Sequence, residues 1–183
     1  MSLLCDALRG LQFLHSQSYI HRDVKPQNIS MYANHAVLLD LGSATRLSSP
    51  TATLSATPGR FGTIEYLAPE FEKSEYGTAA DVWALGVSAF ELLYRYHPFR
   101  HSKNPWRAGA EYLQPAFRQQ EQMAVQLLRS SKDGVGGVIL RMLRYQWSEI
   151  NSAMRISATR ALEFPCWDAL DESYSPPRKL AKK

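Results

Sequence analysis

Cysteine is scarce in this chain: Cys5 and Cys166 are the only two in 183 residues. They give no disulfide framework and no metal-ligand spacing, so a reducing intracellular compartment, cytoplasm or nucleus, is the expected setting. A long hydrophobic run is missing too. The longest apolar-rich stretch, Ala79 to Tyr94, is too short for a bilayer and carries Asp81 and Glu91, so no transmembrane segment is expected. Met1 to Leu14 has neither a basic leader nor a small-residue cleavage site, and does not read as a signal peptide. Internal repeats are absent. A charge of one sign is also lacking over most of the chain, despite a formal net charge of +4. Four of the 21 basic residues (Arg178, Lys179, Lys182 and Lys183) stand in the last six positions, which hold no acid. The remaining 17 balance the 17 acidic residues. The excess therefore sits in a short tail, which reads as a solvated, disordered terminus. Its charges would contribute about 1 kcal/mol each at an anionic membrane, too little to hold the chain there alone. No nucleic-acid partner is expected.

What is present points to one well-buried domain. Apolar residues make up 45% of the chain, and 4 Trp, 9 Tyr and 7 Phe exclude a wholly disordered polymer. Leu3, Leu4, Ala7, Leu8, Leu11 and Leu14 recur at helical spacing and predict an amphipathic helix over residues 3–15. Ile20 to Ile29 is polar and contains Pro26, so it reads as loop. Val37-Leu38-Leu39 reads as a strand entering a turn at Asp40-Leu41-Gly42. Ser43 to Gly62 has no periodicity; a structureless segment of that length inside a domain is usually functional. Ala79 to Tyr94 is apolar nearly all round, which predicts a buried central helix. Helical patterning returns around Tyr112 to Ser130, breaks at Asp133-Gly134 and Gly136-Gly137, and resumes at Val138 to Tyr145. A last helix is predicted over Ser157 to Glu163, with Pro165 ending it. The fold class is therefore mainly α with short β-hairpin elements.

The most informative string is His21-Arg22-Asp23-Val24-Lys25-Pro26-Gln27-Asn28. It sets an acid, a lysine and an amide within one loop. Asp40 follows at the end of an apolar strand, itself followed by Leu-Gly. Phosphoryl transfer needs such a set: a carboxylate to accept the attacking hydroxyl's proton, a cation for the phosphate, and oxygen ligands for Mg²⁺. Any one of these residues alone would be ordinary loop decoration. The ordered combination is specific.

With four further motifs in order, the chain resembles the C-terminal, larger lobe of eukaryotic protein kinases. These are DLG at 40–42, GTIEYLAPE at 62–70, DVWALG at 81–86, and Arg155 before the final helix. The resemblance runs over residues 1–167 and leaves residues 168–183 as the basic tail. It implies Asp23 as catalytic base, Lys25 as the phosphate-contacting lysine, Asn28 and Asp40 as Mg²⁺ holders, and ATP as the nucleotide. Ser30 would face the adenine, where the family usually has an aliphatic residue. Lys25 and Thr63 look like the serine/threonine subclass acting on protein substrates. Glu91 matches an acid that some kinases set against a substrate arginine, although Gln27 replaces its usual companion glutamate.

Other matches carry structural or regulatory expectations. Glu70 and Arg155 resemble the family's buried ion pair, Asp81 would satisfy backbone N–H groups of the catalytic loop, and His21 would pack and hydrogen-bond. Arg22 resembles the arginine that receives an activation-segment phosphate, for which Thr57, Ser55 or Thr53 would serve only with a shifted loop register. Leu41 replaces the usual Phe of the metal-binding motif. The family's Gly-rich nucleotide loop, strand lysine and paired helix glutamate have no counterpart in this sequence. The isolated chain is therefore expected to be inactive unless a small lobe or partner protein covers the exposed face. The alternative is a truncated, non-catalytic, kinase-like protein-binding module.

Overall fold

The computed structural model describes residues 2–55, 62–72, 75–99, 115–131, 134–143 and 155–168. Helix α1 (Ser2–Ser16) buries Leu4, Ala7, Leu8 and Leu11, the apolar stripe of the sequence. Strand β1 (Tyr19–Ile20) pairs antiparallel with β4 (Thr45–Arg46). β2 (Ile29–Tyr32) and β3 (His35–Leu38) form a hairpin whose register sets Ser30 opposite Val37. β5 (Leu54–Ser55) pairs antiparallel with β6 (Glu75–Tyr76). Helices α2 (Ala79–Tyr94), α3 (Pro115–Arg129), α4 (Val135–Met142) and α5 (Ala158–Leu162) complete the described elements.

α2 is the axis of the core. Every residue from Ala80 to Phe90 is buried, so the helix is apolar on all sides because it has neighbours on all sides. The buried hydroxyl of Ser88 donates to the Ala84 carbonyl one turn back, which satisfies it within the helix. Trp83 stacks on Phe99 at 5.0 Å, and the Trp167 indole donates to the Ala161 carbonyl at 2.8 Å. Burying each such large side chain contributes about 1.5–3 kcal/mol. The hairpin is anchored to α1 by the buried Asp6. One of its oxygens accepts from Arg9 Nη1 (3.3 Å) and the other from the Ala36 amide (3.0 Å).

Four sequence expectations need correction. Ser43 to Gly62 is not without structure, since it contributes β4 and β5, and Ile20 and Ile29 are strand residues rather than loop. Two-residue strands carry too little alternation to be seen in a sequence. The Gly136-Gly137 pair does not break the helix: α4 begins at Val135 and runs through it. A side chain at Gly136 would collide with the Leu128 carbonyl, so glycine there permits α3 and α4 to approach. The predicted strand over Val37–Leu39 is displaced to His35–Leu38. Thr57, most of the basic tail and most of residues 101–122 lie outside the described residues. Among those described, no helix is long and apolar enough to cross a membrane.

Candidate active site

The loop after β1 is held from below by Asp81, in the first turn of α2 and almost fully buried. One of its oxygens accepts from the Arg22 amide at 2.9 Å. The other accepts from the His21 amide at 2.8 Å and lies 2.9 Å from His15 Nε2. Two adjacent amides on one carboxylate turn the chain sharply, and Arg22 takes a left-handed φ of 69°. A non-glycine residue held so costs on the order of 1–3 kcal/mol and persists only where surrounding contacts over-determine it. Gly62 closes against the same bend: a Cβ there would sit 2.5 Å from the Arg22 carbonyl oxygen, and its φ of 79° independently favours glycine.

His21 is fully buried under the loop. Its Nδ1 accepts from the Asp23 amide (3.3 Å) and its Nε2 lies 3.0 Å from the Leu39 carbonyl oxygen. An acceptor cannot face a carbonyl, so this pattern assigns the Nε2–H tautomer. The imidazole thus ties the loop to the chain entering Asp40. It contributes position rather than an open proton-transfer group.

The Asp23 carboxylate is the centre of the site. Oδ1 accepts from the Thr63 hydroxyl at 2.8 Å. Oδ2 lies 2.8 Å from Lys25 Nζ and accepts from Asn28 Nδ2 at 3.1 Å. Lys25 also donates to the Thr63 hydroxyl at 2.7 Å, so Asp23, Lys25 and Thr63 close a triangle. Asn28 is buried and donates a second time to the Asp23 carbonyl at 2.8 Å. Burial acts to raise the Asp23 pKa, but the hydrogen bonds from Lys25, Thr63 and Asn28 and the Lys25 charge outweigh it. The carboxyl therefore titrates below its ordinary range, ionised at neutral pH, as a proton acceptor must be.

Asp40 differs in kind. It is exposed, left-handed at φ 58°, and accepts from the Gly42 amide at 3.2 Å. Its second oxygen, like Asn28 Oδ1, has no donor among the described residues. Two open oxygens suit a hard cation such as Mg²⁺, which takes oxygen donors and keeps several waters. No group of three or more His, Cys, Asp or Glu side chains gathers for a metal among the described residues, so other ligands would have to come from water and substrate.

The other named residues are dispersed around this centre. Ser30 is half-buried on β2. Arg22 Nε donates to the Ser43 carbonyl at 2.6 Å, and Nη1 to the Tyr76 hydroxyl at 3.4 Å. Glu91, half-buried on α2, accepts from the Tyr66 hydroxyl at 2.6 Å. Glu70 and Arg155 form a buried two-pronged pair at 2.5 and 3.1 Å, with Arg155 also donating to the Ala79 carbonyl. Sequence reasoning missed His15, Ser43, Tyr66 and Tyr76. Each meets its partner through tertiary folding; the polar side chains of His15, Tyr66 and Tyr76 could have hinted at it, whereas Ser43 offers Arg22 its backbone carbonyl, which leaves no signal in the sequence.

The chain is similar in sequence to known proteins. The family model described as protein kinase domain matches residues 2–166. The chain is 36% identical over 111 residues to inhibitor of nuclear factor kappa-B kinase subunit alpha from Xenopus laevis, covering 58% of this chain and 14% of that protein. It is 44% identical over 92 residues to the cAMP-dependent protein kinase catalytic subunit of Dictyostelium discoideum, covering 49% and 13%. With calcium/calmodulin-dependent protein kinase cmkA of Emericella nidulans (strain FGSC A4) it shares 39% identity over 98 residues, covering 51% and 23%. The matches thus span under a quarter of these relatives' lengths. A helical domain matched over residues 2–166, this cluster included, belongs to the protein kinase family.

Proposed function

We propose that residues 1–167 are the larger lobe of a kinase domain and carry the catalytic residues of a serine/threonine protein kinase. The observation that carries this reading is the closed triangle of Asp23, Lys25 and Thr63 on a loop fixed by Asp81. Protein kinases generally use ATP and Mg²⁺, which supply the transferable phosphoryl group and neutralise its charge. Asp23 accepts the proton of the substrate hydroxyl, and Lys25 turns its ammonium to the transferring phosphate. Asn28 Oδ1 and Asp40 would hold the cation, and Ser30 would face the adenine. Thr63, bonded to both Asp23 and Lys25, supports a Ser/Thr acceptor by fixing the depth at which a hydroxyl meets the base. Glu91 favours a basic residue in the protein substrate. Its bond from Tyr66 fixes one oxygen and leaves the other for a guanidinium. Arg22 receives a phosphate from the activation segment, Thr57 being the nearest acceptor in that reading. The setting is intracellular.

The test joins this chain to a nucleotide-clamping small lobe and follows phosphate incorporation into matched Ser, Thr and Tyr peptides. Transfer to Ser and Thr alone is expected, falling about 10²–10⁴-fold in Asp23→Asn. Undiminished transfer in that variant would overturn the base assignment.

A second reading, a non-catalytic protein-binding module, is favoured by one observation. Leu39 and Leu41, 43% and 55% exposed, flank Asp40 in the chain, and Met31 and Tyr32, 52% and 71% exposed, lie on the hairpin that leads to it. Exposed apolar side chains gathered near one site mark an interaction surface. Stable partner binding by a chain that takes up no Mg²⁺–ATP would favour this reading over the first.

A further inference from the structure

Remote from Asp23, residues at the end of α4 and around α5 line an open cleft of about 580 Å³. That volume lies within the range of ligand pockets, about 300–1,000 Å³, and is too large for a lone ion. Three of its lining residues are arginines: Arg141, Arg155 and Arg160. The catalytic cluster uses none of them.

The guanidinium groups are set in different ways. Arg141 lies 4.9 Å from the centroid of the Phe164 ring and donates Nη1 to the Gly137 carbonyl at 3.1 Å. It is thereby held in place, yet four of its five N–H donors have no acceptor among the described residues. Arg155 spends its two terminal nitrogens on Glu70 and the Ala79 carbonyl, while its buried Nε–H has no acceptor among the described residues. The Arg160 side chain is 74% exposed and, among the described residues, meets only Glu163, at 3.4 Å, itself 56% exposed. An exposed pair of this kind is weak and readily exchanged for another carboxylate. The cleft therefore offers donors in excess, with Ile156 and Phe164 as apolar wall.

We infer that this cleft docks an acidic peptide segment of a partner protein, its carboxylates on Arg141 and Arg160 and an apolar side chain against Phe164 and Ile156. Charge complementarity selects this occupant. The body of the chain is formally neutral, so the excess of donors is local rather than a reflection of net charge. Planar, two-pronged recognition of a carboxylate is what a stacked guanidinium is pre-set to do. The inference is independent of whether the chain catalyses.

Fluorescence anisotropy on the full chain, with a labelled peptide of Glu interspersed with Leu and Phe, tests it. Arg160→Glu and Arg141→Glu should each weaken binding about tenfold or more. Glu163→Gln should strengthen it about two- to fivefold, because a competing carboxylate is removed from Arg160. The gain in Glu163→Gln cannot come from misfolding, which keeps the test decisive should Arg141→Glu unfold. Equal binding of a peptide with Lys in place of Glu would overturn the inference. So would unchanged affinity in the charge variants, or displacement of the peptide by an equal concentration of inorganic phosphate.

Discussion

Arg22 and Asp40 share an uncommon backbone, left-handed at φ 69° and 58° without being glycine, and they stand at the two halves of one site. Their support differs. Arg22 and its neighbour His21 hang from a carboxylate buried in the central helix, with His15 braced against the same oxygen. Asp40 is exposed and holds its turn with one bond to the amide two residues on. Aspartate also tolerates the left-handed region better than arginine does, so less is required to keep it there. The loop that carries Asp23 is built by this chain's own core. The turn at Asp40, flanked by the exposed Leu39 and Leu41, draws little support from that core.

The sharpest way to break this contrast is Asp81→Ala. It leaves two adjacent amides without their acceptor beneath the loop, and denaturant unfolding should report a loss of about 3–5 kcal/mol. Thr63→Val is milder. It removes one hydroxyl from the triangle while keeping its shape, and should cost about 1 kcal/mol while moving the Asp23 pKa back toward its ordinary value, readable by carboxyl NMR titration. Acid adds a signed test. The folded-state pKa of Asp23 is depressed, so its stabilisation is complete above the unfolded carboxyl value of about 3.9 and is lost as pH falls through the folded value. Asp23→Asn should therefore flatten the acid limb of a stability–pH curve and leave its slope above pH ~5 unchanged. The smallest effect belongs to Asp40→Asn. An exposed turn residue exchanged for another that accepts the left-handed region should change stability by under about 0.5 kcal/mol. Its effect should appear instead in Mg²⁺ dependence once a small lobe is joined.

The same contrast explains what could be read from the sequence. α2 has the bounds expected of it because a helix apolar on every side is visible without knowing its neighbours. Asp23, Lys25 and Asn28 were legible because they share one eight-residue string. The support of that string was not legible from the residues alone. His15 reaches Asp81 across 66 positions, and Tyr66 reaches Glu91 across 25. Only the family resemblance pointed to Asp81 at all. β4 and β5 escaped because a two-residue strand has no period. Gly136-Gly137 reads as a helix breaker in the sequence, whereas the reason for Gly136 is a neighbouring backbone, a fact held by the packing of α3 on α4 rather than by local propensity.

Native-state hydrogen exchange tests the difference between the two halves most directly. The amides of His21 and Arg22, bonded to a buried carboxylate, should exchange only through openings close to global unfolding. The Gly42 amide, bonded to an exposed one, should exchange through a local opening at far lower cost. Equal protection of the three amides, or faster exchange at His21 and Arg22 than at Gly42, would contradict an Asp23 loop built in advance by the core.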